Sequence, residues 1–396
     1  MNQRQLFLNS IAQTSTEPMG IEVVKAKGCY IKSSNGKRYL DLISGIAVSS
    51  IGHGNQSVVN AIAKQARNYM HTMVYGEHIQ APQVNLAEKL KRHLPESLDS
   101  VYFVNSGSEA IEGALKLAKR YTGKHQFVAQ NLSYHGGTTG ALSLMSDDFF
   151  AAKYRPLLPD VLFIDQNDMQ GIDTITEGTS AVVMELIQAE KGVFPCKVEY
   201  VQAIRSKCDE TNTLLIIDEI QTGMGRTGKW FAFEHYNIVP DILVLAKSFG
   251  AGLPLGCFVA NKKVMQSFQE DPPLGHITTF GGNPVCCAGA IAGFKFMNKH
   301  KLVDRVEEQS KLFKSLLKHE MIKEVRGIGL LLAVDFGNAE LNHNVIDRCI
   351  ERGLHVDWFL YNEESMRICP PFIITNKEIR SACKIILDIC KELSAS

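Results

Sequence analysis

Asp241-Ile-Leu-Val-Leu-Ala-Lys247-Ser-Phe-Gly250 is an apolar run that ends on a lysine and a glycine. Upstream, Leu214-Leu-Ile-Ile-Asp218-Glu219 ends in the same way on acids. Both runs are short and apolar at successive positions, which suits strands covered on both faces. In an open α/β sheet, ligands bind just beyond the carboxyl ends of the strands. One strand end therefore offers an amine and the other a carboxylate.

Working outward, Val101-Tyr-Phe-Val104, Gln126-Phe-Val-Ala129, Val161-Leu-Phe-Ile164, Ala181-Val-Val-Met184 and Gly256-Cys-Phe-Val-Ala260 read as further strands. Helical stretches such as 109–120 separate them. The alternation predicts an α/β fold with a mostly parallel sheet, covered on both sides, in a large domain over 46–290. Helical periodicity also marks 57–69 and 81–93, the latter stopped by Pro95.

After about residue 290 the pattern changes. Residues 288–318 read as one long helical stretch ahead of Glu324-Val-Arg-Gly-Ile-Gly-Leu-Leu-Leu-Ala-Val-Asp335. One further helix and strand follow, then a C-terminal helix over 377–393. This predicts a smaller α+β domain over 291–396. The first sixteen residues read as a polar arm. The next segment, Gly28 to Leu42, reads as a hairpin turning at Asn35-Gly36, where both residues tolerate positive φ. Residues 1–45 are expected to pack with the small domain.

The chain has 396 residues, 45% of them hydrophobic and 21% charged, which is ordinary globular composition. Lys plus Arg and Asp plus Glu both total 42, giving zero formal net charge. No long basic run suggests nucleic acid as a partner, so small molecules are expected. No stretch approaches the roughly 20 apolar residues of a membrane helix, and the polar N-terminus lacks an apolar signal core. The ten cysteines include no Cys-x-x-Cys, and Cys286 and Cys287 are adjacent. They read as reduced thiols of a cytoplasmic protein. The twelve histidines show no His-Glu-x-x-His spacing, and no metal site is expected.

Other strand ends carry further chemistry. Asn105-Ser106-Gly107-Ser108-Glu109-Ala110 joins a strand to a helix whose free N–H groups suit a phosphate ester; the same residues could form an ordinary cap, with Ser108 as N-cap. Tyr134, in Tyr134-His135-Gly136-Gly137, could stack on a flat heterocycle or simply pack in a surface loop. Glu185 and Glu190, in Met184-Glu-Leu-Ile-Gln-Ala-Glu190, could orient a ligand or be solvated acids. An amine able to form a Schiff base, a carboxylate able to hold a pyridinium proton and a phosphate cradle are what pyridoxal 5'-phosphate (PLP) requires. The order of these motifs on successive strand ends is a stronger signal than any one of them.

With these residues in place, Asp218-Glu-Ile-Gln-Thr-Gly-Met-Gly-Arg226-Thr-Gly followed by Pro240-Asp-Ile-Leu-Val-Leu-Ala-Lys247 resembles the signature of class III (subgroup II) PLP-dependent aminotransferases. The resemblance extends through Asn105-Ser-Gly-Ser-Glu-Ala, Tyr134-His-Gly, Glu185-Leu-Ile-Gln-Ala-Glu190, Thr278-Thr279-Phe-Gly-Gly-Asn-Pro284 and Met366-Arg367-Ile-Cys-Pro-Pro. Gly45-Ile-Ala-Val48 with Gly52-His53 is most similar to the acetylornithine/ornithine branch. The resemblance implies fold type I of the PLP-dependent transferases, with a seven-stranded sheet, and a homodimer. It implies Lys247 as the covalent anchor of PLP and Asp218 as the partner of its pyridine nitrogen. Gln221 would lie near the ring hydroxyl and Tyr134 on the ring, with His135 and Glu185 beside the cofactor. Ser106, Gly107, Ser108 and Thr278 would serve the phosphate, joined by Thr279 from the other subunit. Glu190 would pair with Arg367 until Arg367 grips the α-carboxylate of glutamate or 2-oxoglutarate.

The activity so implied is ping-pong transfer of an amino group from an amine or amino-acid donor to a 2-oxo acid such as 2-oxoglutarate or pyruvate. An aminomutase or a decarboxylating transaminase on the same scaffold is the nearest rival, and a non-catalytic PLP-binding protein the more distant one. One departure stands out. Many relatives that handle ornithine-like or dicarboxylic substrates carry an Arg directly after the aromatic-His-Gly motif, to hold a substrate carboxylate in a bidentate pair. Here that position is Gly137. Arg155 and Arg326 are candidate substitutes.

Overall fold

The computed structural model describes residues 2–395. Alternate residues of a strand face opposite sides of a sheet, and here both sides are apolar. Leu215 and Ile217 face one core with Tyr200 and Ile204 of the Val198–Thr211 helix. Leu214 and Ile216 face a second core with Ala110, Ala114 and Leu117 of the Gly107–Thr122 helix. That helix lies so close that a Cβ on Gly113 would come within 2.3 Å of the Phe258 ring.

The resulting sheet has seven strands, in the order Ser100–Val104, Gly256–Ala260, Ile242–Leu245, Leu214–Asp218, Thr179–Met184, Gln126–Gln130, Val161–Ile164. Only Gly256–Ala260 runs antiparallel to its neighbours. The carboxyl ends of the other strands therefore share one edge. The loop entering Gly256–Ala260 reaches the same edge. Gly256 is needed there, because a Cβ would sit 2.4 Å from the Ser106 carbonyl oxygen.

A second sheet runs Glu324–Ile328, Leu331–Asp335, Asn362–Ile368, Asp357–Phe359, beside the helices Leu302–Leu316, Ala339–Glu351 and Asn376–Ser394. A third joins Val23–Lys27, Tyr30–Ser33 and Arg38–Asp41 to Leu354–His355, which pairs parallel with Arg38–Asp41. The N-terminal hairpin is thus hydrogen-bonded to a strand from late in the chain.

Four expectations need correction. The stretch 288–318 is two helices, Pro284–Lys299 and Leu302–Leu316, broken where Lys301 takes φ 48°. The apolar period continues across the break because Leu302 and Val303 are buried on its far side. The single strand expected before the last helix is three short ones. The polar arm contains a short helix, Gln3–Ser10, held by an Asn2–Gln5 capping box and burying nothing. Of the two turn residues only Gly36 has positive φ, 85°; Asn35 acts through its side chain, accepting from Lys37 N at 3.0 Å. Among the described residues no helix is long and apolar enough to cross a membrane.

Candidate active site

The Ser100–Val104 strand delivers Asn105-Ser106-Gly107 to the edge. Ser106, and not Ser108, caps the following helix, its hydroxyl accepting from Glu109 N at 3.1 Å. Helix geometry leaves the first N–H groups without intrahelical partners. Ser108 Oγ instead accepts from Gly137 N at 3.1 Å. Gly136, at φ 130°, makes room for this contact, since a Cβ would lie 2.1 Å from that hydroxyl. Gly107 lies close to Ile220, and a Cβ would be 2.8 Å from its Cδ1. Two loops from different strands are locked into one cradle.

Asp218, at the end of its strand, receives Ile220 N at 2.9 Å and lies 2.7 Å from His135 Nδ1. Both side chains are buried. Burial pulls the imidazole down, but contact with Asp218 outweighs it and holds His135 above its ordinary range. Across the cavity, Lys247 Nζ donates to Gln221 Oε1 at 2.9 Å. Burial lowers the Lys247 amine, against the opposing pull of Glu190. Lys247 also takes φ 48°, a conformation costly for any side chain and common at functional sites.

Glu190 and Arg367 form a buried bidentate pair at 3.0 and 2.8 Å. Burial disfavours the charge on Glu190, yet Arg367 and Lys247 hold its carboxyl below the ordinary range. Arg367 also donates to the Trp358 carbonyl at 2.9 Å and lies over the Phe359 ring. Asp357 Oδ1 stands 3.2 Å from Arg367 Nε, off the hydrogen-bond direction. Glu190 Oε2 accepts from Leu360 N at 3.0 Å.

One cavity of about 400 Å³ is lined by Ser106, Gly107, Ser108, Tyr134, His135, Glu185, Glu190, Asp218, Gln221 and Lys247 among others; Arg367 is outside the lining and meets it through Glu190. Thr278 and Thr279 lie outside the lining. Thr278 Oγ1 is 3.5 Å from Asn105 Nδ2, and Thr279 is exposed. Neither substitute arginine reaches the cavity. Arg155 pairs at the surface with Asp148, and Arg326 is spent on Asp335, Ser365 and the Gly192 carbonyl. The sequence reading missed the His135–Asp218 contact and the Leu253-Pro254-Leu255 wall. It also missed the groups around Arg367. Their only sequence signal was nearness to motifs already singled out.

Glu185 accepts from Tyr134 N at 2.9 Å and Ala189 N at 3.3 Å. Burial pushes its carboxyl from 4.5 up to about 7. A carboxyl raised on folding makes the folded state the tighter proton binder, so its contribution is full below about 4.5 and is lost as pH rises through about 7. Denaturant titrations of wild type and Glu185→Gln between pH 5 and 8 are expected to show wild type losing stability relative to the variant as pH rises, by at most about 1.4 kcal/mol per unit. Parallel curves would contradict this.

PLP fits these residues: a buried amine, a carboxylate backed by His135, and a helix N-terminus shaped by glycines. Gln221 Nε2 is buried without a partner among the described residues, as a group reserved for a ligand would be. The chain matches the model of the family described as aminotransferase class-III over residues 11–390. It is 38% identical to an acetylornithine aminotransferase of Archaeoglobus fulgidus, covering 96% of this chain and 97% of that one. It is 37% identical to a putrescine aminotransferase of Pectobacterium atrosepticum, covering 92% and 81%. The ornithine aminotransferase of Toxoplasma gondii, whose solved structure has partial PLP occupancy at its active site, superposes with a TM-score of 0.91 at 29% identity, covering 99% of this chain and 94% of that one. With sequence and fold shared nearly end to end, the chain belongs to the class-III aminotransferases and is a PLP-dependent transaminase.

Proposed function

We propose that this transaminase takes the terminal amino group of an ornithine-like or other ω-amine donor and passes it to a 2-oxo acid, with the Glu190–Arg367 pair deciding which substrate fits. The observation that carries this reading is the buried bidentate pair beside Lys247. Paired, the two charges cancel and a donor enters with its terminal amine toward Lys247. When Glu190 swings away, Arg367 is free to grip an α-carboxylate. Stranding either charge costs several kcal/mol, so each state needs its own partner. Glu190→Ala is expected to raise the single-turnover rate with glutamate about tenfold relative to that with the ω-amine, if one buried partner is worth about 1.4 kcal/mol here. Arg367→Ala is expected to cripple mainly the glutamate/2-oxoglutarate half. An unchanged ratio of half-reaction rates in Glu190→Ala would end the switch reading.

When bound, PLP supplies an aldehyde for amines and an electron sink for the charge left when a Cα proton departs. Lys247, its pKa lowered by burial, would anchor the cofactor and, as a neutral amine, would take and return the substrate Cα proton. Asp218, backed by His135, would hold the pyridine nitrogen in its protonated form. Gln221 would serve the ring hydroxyl and Tyr134 would cover the ring. The cradle of Ser106, Gly107 and Ser108 would take the phosphate. Thr279 is contributed across a homodimer interface; its exposure outside this chain's own cavity supports that assignment, and the half-buried Thr278 stands behind it. Three regions, 1–45, 46–290 and 291–396, act as arm, large and small domains; the sheet that joins Arg38–Asp41 to Leu354–His355 supports packing of the arm with the small domain. All ten cysteines are free thiols, which supports a cytoplasmic setting.

Acceptor preference turns on Gly137. A Cβ there meets nothing within 4 Å, so the missing arginine is not excluded by space. Without it, a distal carboxylate lacks its bidentate partner, and pyruvate is the favoured acceptor over 2-oxoglutarate. Gly137→Arg is expected to lower the KM for 2-oxoglutarate relative to pyruvate by about tenfold, the effect of one charge-assisted pair. An unchanged KM ratio would remove Gly137 from the account of specificity.

A further inference from the structure

Asp41 ends the Arg38–Asp41 strand and is fully buried. Its Oδ1 accepts from Ile43 N and Ser44 N, both at 2.9 Å. His355 Nδ1 stands 3.1 Å from the same oxygen, and His53 Nε2 stands 2.7 Å from Oδ2. Burial disfavours the charge, yet the two histidines outweigh it and hold the carboxyl well below the usual range.

The chain that Asp41 caps is strained. Ser44, Gly45, Ile46 and Ala47 take φ of 47°, 62°, 58° and 63°. They form a left-handed turn, closed by Ala47 N to the Ile43 carbonyl at 3.0 Å and Val48 N to the Ser44 carbonyl at 2.9 Å. Side chains crowd the backbone in this conformation, and a β-branched residue such as Ile46 suffers most. Such strain persists only where surrounding contacts over-determine it. Besides Asp41, those contacts include Ser44 Oγ to the Cys369 carbonyl at 2.6 Å, Cys369 N to the Leu42 carbonyl at 2.7 Å, Cys369 Sγ to the Ile43 carbonyl at 3.1 Å and Ser50 Oγ to the Ala47 carbonyl at 3.2 Å.

The turn ends on Val48, which lines the cavity. It packs against the Lys247–Gly250 segment, itself entered at positive φ. His355 lies two residues before Asp357, which faces Arg367 at 3.2 Å. Asp41 thus ties the turn that leads to the Val48 wall to the strand that leads on to Asp357. We propose that Asp41, locked by His53 and His355, is a positioning residue that holds the left-handed Ser44–Ala47 turn, and through it the Val48 wall, in the shape substrates need. This rests on the cavity being the substrate site.

The test uses PLP-loaded enzyme, with Asp41→Asn alone and combined with Ile46→Gly. Ile46 is 41% exposed, and glycine removes the side-chain cost of positive φ. Asp41→Asn is expected to raise the KM of donor and oxo acid by about tenfold while kcat falls less than about threefold, as for lost positioning. It should also speed hydrogen exchange at the amides of residues 43–48. Ile46→Gly should reverse most of both effects. His53→Ala should give a smaller rise in KM that His53→Gln, which keeps an N–H for Oδ2, largely repairs. This pair decides the matter even where Asp41→Asn does not fold. Unchanged exchange at 43–48, or a KM that stays fixed while kcat and thermal stability fall together, would overturn the proposal. The exchange readout needs no turnover, so failure of the substrate-site reading is seen separately, as a wild type that turns over no donor.

Discussion

Lys247→Ala is expected to lose steady transamination by at least about 10³-fold, because it removes both the anchor and the positioned proton carrier, and a proton carrier alone is worth about 10²–10⁴-fold. Borohydride should fix PLP to the Lys247 peptide of wild type and to no peptide of the variant. The fold should survive. Among the described residues the Lys247 side chain is hydrogen-bonded only to Gln221, and alanine at φ 48° meets the same backbone cost that lysine does. A variant that still carries a borohydride-fixed adduct and turns over normally would remove Lys247 from the chemistry.

Asp218→Asn is expected to slow the proton-transfer step about 10²–10³-fold, the usual cost of losing one well-placed charge in a water-poor site. Removing that charge also removes what holds His135 above its ordinary range. The asparagine oxygen can still accept from Ile220 N, so unfolding should shift little. A solvent isotope effect and single-turnover rates with one donor separate slowed proton transfer from weakened binding. Near-normal turnover in Asp218→Asn would contradict the assignment.

The central sheet was legible because strands buried on both faces write unbroken apolar runs, and because their ends carry the reactive residues. Lys247, Asp218, Glu190 and Arg367 could be picked out on those grounds together with the resemblance. Contacts that span the chain could not. Asp41 meets His355 across 314 residues, and His135 meets Asp218 across 83; no local pattern encodes either. The break at Lys301 was hidden because an apolar period carries no information about a single residue's φ. The left-handed turn at Ser44–Ala47 was hidden for the same reason, since only Gly45 hints at it. Thr278 and Thr279 stay outside the cavity of a single chain, where an assignment to the partner subunit leaves them.

The most direct measurement is a half-reaction. PLP-loaded enzyme is mixed with one donor at a time, without oxo acid, from acetylornithine, succinylornithine, ornithine, lysine, 4-aminobutyrate and β-alanine. Cofactor absorbance and carbonyl product are followed together. An accepted donor should yield one carbonyl product per Lys247 site and leave the cofactor aminated, until pyruvate or 2-oxoglutarate returns the absorbance to its starting value. Continuous product without an oxo acid, release of carbon dioxide, or no spectral change with any donor would contradict transfer through a single strand-end site.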